Sequence, residues 1–83
     1  MKARVYVSFK PTILDPQGQT VLHGLESLGF NETTSLRIGK FFEMDLNASS
    51  REKAEARIRE MCDKLLTNPV IEEYSFQLQE LQK

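Results

Sequence analysis

The 83-residue sequence has very few of the side chains that most enzymes use for chemistry. It contains one cysteine, Cys62, one histidine, His23, and no tryptophan. A single cysteine excludes an intramolecular disulfide and favours a reducing compartment. A lone histidine cannot by itself form a His-based zinc site or a Ser-His-Asp triad. We therefore expect no catalytic residue, no bound cofactor and no metal site in this chain.

Two further absences narrow the function classes. The formal net charge is only −1 at pH 7, whereas non-specific nucleic-acid binding needs a basic surface. No window approaches the roughly 18 apolar residues of a membrane-spanning helix. Residues 1–9 are too charged for a signal peptide. We expect a cytoplasmic protein that binds neither nucleic acid nor membranes.

The length predicts one domain, residues 1–83, with a small core. A chain this short buries only about 60% of its unfolded surface. Oligomerisation is a common way to add stability to so small a domain.

The apolar pattern alternates with period two in three places, which predicts strands. Residues 2–10 form the first strand, which Pro11 ends. Residues 36–46 read as two strands that meet near Gly39 and Lys40, where Gly39 could supply a positive φ or a bulge. They are either a tight hairpin or one long bent ribbon, and the sequence leaves both open. Residues 70–79 form the last strand.

Two segments have helical periodicity. Asp15 followed by Pro16 predicts a helix start, and Gly29 predicts its end. The second helix opens at Ser49, which has capping-box spacing to Glu52, and its apolar stripe includes Cys62. Its charged side chains are typical of a solvated helix surface. Two acidic pairs on the strands, Glu43 with Asp45 and Glu72 with Glu73, are likewise interpreted as solvated.

The element order β-α-β-β-α-β predicts an α+β fold of the ferredoxin-like type, an antiparallel sheet with both helices on one face. The outer sheet face would be mostly polar with two aromatic residues, Tyr6 and Phe41. Such a face suits contact with another protein. Two alternatives share this fold: a ligand-sensing module of the ACT type, and an RNA-binding sheet. Glu43 and Glu73 on the same face argue against RNA.

Three stretches resemble signatures of the PurS family. Residues 7–18 (VSFKPTILDPQG) resemble its V-x-L-K-x-x-V-L-D-P-Q-G opening, and residues 37–44 (RIGKFFEM) resemble its R-x-G-K-x-x-E-L centre. Residues 61–72 (MCDKLLTNPVIE) are similar to its C-x-K-L-L-A-N-x-V-I-E end. The three stretches occur in order over almost the whole chain. Departures such as Phe9, Ile13, Met44 and Pro69 are mild.

The resemblance implies the small, non-catalytic subunit of phosphoribosylformylglycinamidine (FGAM) synthase of purine biosynthesis. It implies a large ATP-dependent synthetase subunit and a glutaminase subunit as partners, which would use the ATP, Mg²⁺ and glutamine. It also implies a dimer or a tetramer that bridges the two and supports ammonia transfer.

From the surface pattern we expect the central ribbon, residues 37–46, to pair with a second copy and extend the sheet. The candidate interface residues, taken from the outer face and from the two motifs nearest the ribbon, are Tyr6, Asp15, Gln17, Arg37, Gly39, Lys40, Phe41 and Glu43.

Overall fold

A computed structural model describes residues 1–80, so the last three residues of the predicted domain 1–83 lie outside the described part. The described chain consists of three strands, two α-helices and one π-helical turn. In chain order these are β1 (Lys2–Phe9), α1 (Pro16–Ser27), β2 (Gly39–Asp45), α2 (Arg51–Met61), the π-turn (Cys62–Leu66) and β3 (Glu72–Gln79). The predicted α+β class is confirmed. No helix among residues 1–80 is long and apolar enough to cross a membrane.

The sheet has the order β2-β1-β3, and both pairings are antiparallel. Val5 lies opposite Phe42 on one side and Phe76 on the other, while Tyr6 lies opposite Phe41 and Ser75. This register places the predicted apolar residues on one face and the predicted polar residues on the other, because side chains alternate along a strand. β2 and β3 are edge strands of this sheet.

The core lies between the inner sheet face and α2. Ile58 and Cys62 from the α2 side pack against Ala3, Val5 and Val7 of β1, and all five are buried. Half-buried apolar residues of β2 and β3 surround them. α1 contributes no residue to this cluster.

The helix ends follow the sequence signals with one shift. Asp15 caps α1 with Pro16 at the first helical position, and Gly29 follows the helix at φ +95°, as predicted. The cap of α2 is Ser50, not Ser49: its side chain accepts a hydrogen bond from the Lys53 N–H at 3.2 Å. A capping residue needs an extended backbone, and the sequence pattern does not show which of the two adjacent serines has it.

The central stretch differs from the prediction. Residues 36–38 lie outside the sheet, and β2 is a single strand that begins at Gly39. No turn interrupts residues 36–45, so the hairpin alternative is not realised, and these residues continue as one uninterrupted segment, the ribbon. The reason is that Arg37 and Ile38 form hydrogen bonds with the segment after β1 and not with a neighbouring strand.

Residues 10–38, which we call the arm, extend from one end of the sheet. The chain measures 50 Å along its longest axis, whereas an eight-residue strand spans only about 27 Å. Its radius of gyration is 16.4 Å, against about 12 Å for a compact domain of this length. Within one chain, α1 therefore does not cover the sheet beside α2. The sequence predicted both helices on one face of the sheet. An apolar stripe on a helix indicates that the stripe is covered, but it does not specify whether its own chain or a second copy covers it.

Gly39 is required by close packing. A Cβ on this residue would lie 2.5 Å from the Val7 carbonyl oxygen, and its φ is not positive. The predicted positive φ or bulge is therefore wrong, because the regular β1–β2 register continues to Gly39.

We predict that Gly39→Ala lowers the free energy of unfolding by about 1–3 kcal/mol, since β1 and β2 would have to separate locally. The measurement is urea unfolding at fixed protein concentration. Gly24→Ala is the matched control, because no atom other than those of its own helix backbone and its two chain neighbours lies within 4 Å of its Cβ position. It should stabilise the protein by about 0.5–1 kcal/mol. Equal effects of the two substitutions would contradict the packing argument.

Candidate functional site: the junction and the outer sheet face

The junction is the end of the sheet where β1 leads into the arm and the arm returns to β2. Asp15 stands at its centre and is almost fully buried. Its Oδ1 accepts a hydrogen bond from the Gly18 N–H at 2.9 Å, and its Oδ2 accepts one from the Ile38 N–H at 2.8 Å. One carboxylate thus caps α1 and also holds the returning chain.

Arg37 closes the same junction from the outside. Its guanidinium Nη2 donates to the Lys10 carbonyl at 3.0 Å and to the Ile13 carbonyl at 2.8 Å. These two carbonyls belong to the segment that leaves β1. Arg37 therefore joins the outgoing and returning ends of the arm.

Gly18 allows this arrangement. A Cβ at that position would lie 2.5 Å from the Asp15 Oδ2 and 2.9 Å from the Leu36 carbonyl oxygen. Any larger residue would push the carboxylate away from the Ile38 N–H. The glycine of the D-P-Q-G motif is thus explained by close approach of the ribbon.

The third motif reaches the junction through Glu72. This carboxylate is buried, accepts a hydrogen bond from the Asn68 N–H at 2.7 Å and lies 3.5 Å from the Lys40 Nζ. The interpretation of Glu72 as a solvated acid is wrong. Glu72 lies two residues before Tyr74 and four before Phe76, so it points to the same inner face of the strand. This alternation was the sequence signal for its burial.

Electrostatics at the junction favour the ionised Asp15. The N–H groups of Ile38 and Gly18, in that order, lower the pKa of Asp15 below its ordinary 3.8 against the opposing effect of burial, and the Arg37 guanidinium adds to the lowering. A carboxyl whose pKa is lower in the folded state stabilises the fold above its unfolded pKa. That stabilisation is lost as the pH falls through the folded value.

We predict that acid destabilises the parent protein more than an Asp15→Asn variant. Between pH 7 and the ordinary pKa of 3.8 the difference in unfolding free energy between the two should be constant, and below that pH it should shrink. Urea titrations at a series of pH values measure this difference. Parallel stability curves down to pH 2 would show that Asp15 carries no such linkage.

The outer sheet face has a second, different cluster, which we call the outer patch. Tyr6 and Phe41 stack with ring centroids 5.2 Å apart, and both are exposed, Phe41 at 55%. Beside them Glu43 accepts a hydrogen bond from Arg4 Nε at 3.2 Å and lies 3.8 Å from Lys2 Nζ. Exposed aromatics with a charged rim are the composition of a protein-binding surface.

The structure therefore divides the eight candidate interface residues into two groups. Tyr6, Phe41 and Glu43 lie on the outer patch, where a partner can reach them. The rest lie at the junction, namely Asp15, Gln17, Arg37, Gly39 and Lys40. Of these, Asp15 is buried within its own chain, so it acts on the arm and not through direct contact with a partner.

Neither cluster offers a reactive group. Asp15 and Arg37 are both engaged in hydrogen bonds with backbone. Elsewhere, His23 is exposed, and burial raises the pKa of the Cys62 thiol, which keeps it protonated. Among residues 1–80 no three His, Cys, Asp or Glu side chains could hold a metal.

Comparison with known proteins agrees with the resemblance. The family model named PurS, described as phosphoribosylformylglycinamidine (FGAM) synthase, matches residues 2–80. The chain belongs to the PurS family. A PurS-family relative from Bacillus subtilis (strain 168), named phosphoribosylformylglycinamidine synthase subunit PurS, is 45% identical over 80 residues, covering 96% of this chain and 94% of the relative.

Solved PurS structures share the fold. A Bacillus subtilis PurS crystal structure matches with a TM-score of 0.87 and 46% identity, over 95% of this chain and 98% of that one. A chain in the structure of PurLQS from Thermotoga maritima matches with a TM-score of 0.86 and 32% identity, over 92% of this chain and 93% of that one. The three stretches that resemble PurS signatures meet at the junction, so the sequence pattern of the family here corresponds to one structural feature.

Proposed function

We propose that this protein is the non-catalytic small subunit of FGAM synthase, and that it bridges the ATP-dependent synthetase subunit and the glutaminase subunit in the cytoplasm. The observation that carries the proposal is the full-length match to PurS chains, one of them in the PurLQS structure. In this role the chain supports transfer of glutamine-derived ammonia to formylglycinamide ribonucleotide. Family membership favours this function over the ACT-type and RNA-binding alternatives.

The side chains of this protein are consistent with a subunit that leaves catalysis to its partners. The partner subunits use ATP, Mg²⁺ and glutamine, while this chain supplies surfaces. The protonated Cys62 thiol and the hydrogen-bonded Asp15 carboxylate are suited to structure and not to covalent or acid–base catalysis.

In this proposal the chain acts as a dimer or a tetramer. β2 has a free edge, and Phe42 and Met44 on its inner face are only half-buried. The arm exposes apolar side chains that its own sheet does not cover, namely Leu14 (71%), Val21 (43%), Leu28 (75%) and Phe30 (48%). An open edge and uncovered apolar surfaces together favour pairing with a second copy.

The larger subunits bind the outer patch in this proposal. Tyr6 and Phe41 lie on the face opposite the core, so a partner can cover them without disturbing the dimer contacts of the inner face. Stacked aromatic residues with adjacent arginine are the usual anchors of such interfaces.

Size-exclusion chromatography with the purified synthetase and glutaminase subunits of the same organism tests this function. We expect the three chains to elute together, and Phe41→Ala to reduce the recovered complex. Leu65→Ala, which removes an exposed apolar side chain far from the outer patch, is the control. Failure of the unmodified chain to elute with either subunit would contradict the proposal.

A further inference from the structure

The arm has few contacts that could fix its direction. α1 buries only Gly18 and Leu22, and none of its residues joins the core of the sheet. Its apolar side chains are largely exposed in a single chain. What fixes the angle between arm and sheet must therefore lie at the base of the arm.

The base of the arm is crossed by hydrogen bonds from two side chains. Asp15 bonds the Ile38 N–H, which is the last amide before β2, and also the Gly18 N–H, in the first turn of α1. Arg37 bonds the Lys10 and Ile13 carbonyls on the other side of the same base. The Asp15–Ile38 contact and both Arg37 contacts join the outgoing chain to the returning ribbon, whereas the Asp15–Gly18 contact caps α1.

We propose that Asp15 and Arg37 form an arm lock, which holds α1 at the angle needed to seat its apolar side chains on a second copy. This inference rests on the self-association proposed above and names the contacts that control its strength. Breaking the lock frees the arm while the sheet and α2 stay folded, because the core contains no arm residue. A free arm must be ordered again on binding, and that cost weakens the dimer.

Two substitutions remove the lock in different ways. Asp15→Ser keeps an α1 cap, since serine also accepts a hydrogen bond from the first turn, but it is too short to hold Ile38 as well. Arg37→Lys keeps the charge, but the lysine side chain is one atom shorter, so its ammonium falls short of the position from which Nη2 donates to both carbonyls. Arg57→Lys is the matched control, because Arg57 is exposed on α2 and pairs with Glu60 of the same helix.

The experiment combines sedimentation equilibrium with amide hydrogen exchange on the full chain. We expect the dimer dissociation constant to rise about tenfold or more in Asp15→Ser and Arg37→Lys, and to stay unchanged in Arg57→Lys. The Ile38 amide should lose much more protection than the β1 amides in both lock variants. A smaller rise of the dimer dissociation constant in Asp15→Asn than in Asp15→Ser would support the proposal, because asparagine has the shape of aspartate and an oxygen that accepts a hydrogen bond.

Three other outcomes are informative. Unchanged dissociation constants in both lock variants would overturn the arm lock. Equal loss of protection in β1 and at Ile38 would also overturn it, since Asp15 would then support the whole fold. If the unmodified protein is monomeric at all concentrations, the proposed self-association fails, and the hydrogen-exchange comparison alone decides whether the lock exists.

Discussion

Ile58→Ala is expected to lower the free energy of unfolding by about 2–5 kcal/mol, the range for a fully buried aliphatic side chain cut back to alanine. Ile58 has no exposed surface and belongs, with Val5 and Val7, to the core cluster that α2 forms with the sheet. The total stability of such a domain is only about 5–15 kcal/mol. The substitution therefore removes a large part of it.

Urea unfolding followed by circular dichroism measures this effect. Protein concentration must be held constant, because self-association adds to apparent stability. Leu65→Ala is the control: Leu65 is 84% exposed and should change stability by no more than about 0.5 kcal/mol. Comparable losses in the two variants would mean that the core is not where the structure places it.

The second large effect is expected on self-association. Leu28→Gln should raise the dimer dissociation constant about 10- to 100-fold, since burying a leucine contributes about 1.5–3 kcal/mol. Leu28 is 75% exposed at the end of α1, so its own chain does not need it for folding. The monomer should keep its circular dichroism spectrum.

Leu65→Gln serves as the matched control for this prediction, because it makes the same change on an equally exposed leucine outside the arm. Sedimentation equilibrium of the three proteins gives the comparison. Equal weakening by both substitutions would mean that the arm has no special part in dimer formation. No change in either would place the dimer contact elsewhere, for example along β2 alone.

Much of the fold could be predicted because local signals and burial agree. Alternation along β1 identified its two faces correctly, and Asp15 with Pro16 marked the start of α1. These features depend on neighbouring residues only. The pairing of Tyr6 with Phe41 followed from the same alternation once the strands were adjacent.

What the sequence did not reveal depends on distant contacts. Residues 36–38 have a strand pattern, but their polar groups are satisfied by Asp15, Lys10 and Ile13. The junction was missed as a unit because its members come from three separate motifs. Glu72 looked solvated because burial of a charged side chain is visible only when its hydrogen-bond partners are known.

The apolar stripe of α1 is a further feature whose partner the sequence does not reveal, because that partner can belong to another chain. Burial of Leu28 or Val21 can be provided by the same chain or by another, and the stripe is identical in both cases. Only the extended shape of the chain, 50 Å in its longest dimension, distinguishes the two.

The central claim is that this chain contributes surfaces and no chemistry to FGAM synthesis. The most direct measurement reconstitutes the reaction from the synthetase and glutaminase subunits of the same organism, with ATP, Mg²⁺ and formylglycinamide ribonucleotide. With glutamine as nitrogen donor, we predict that omitting this chain reduces product formation to background, while supplied ammonia still supports the synthetase. An equal glutamine-dependent rate with and without the chain would contradict the account.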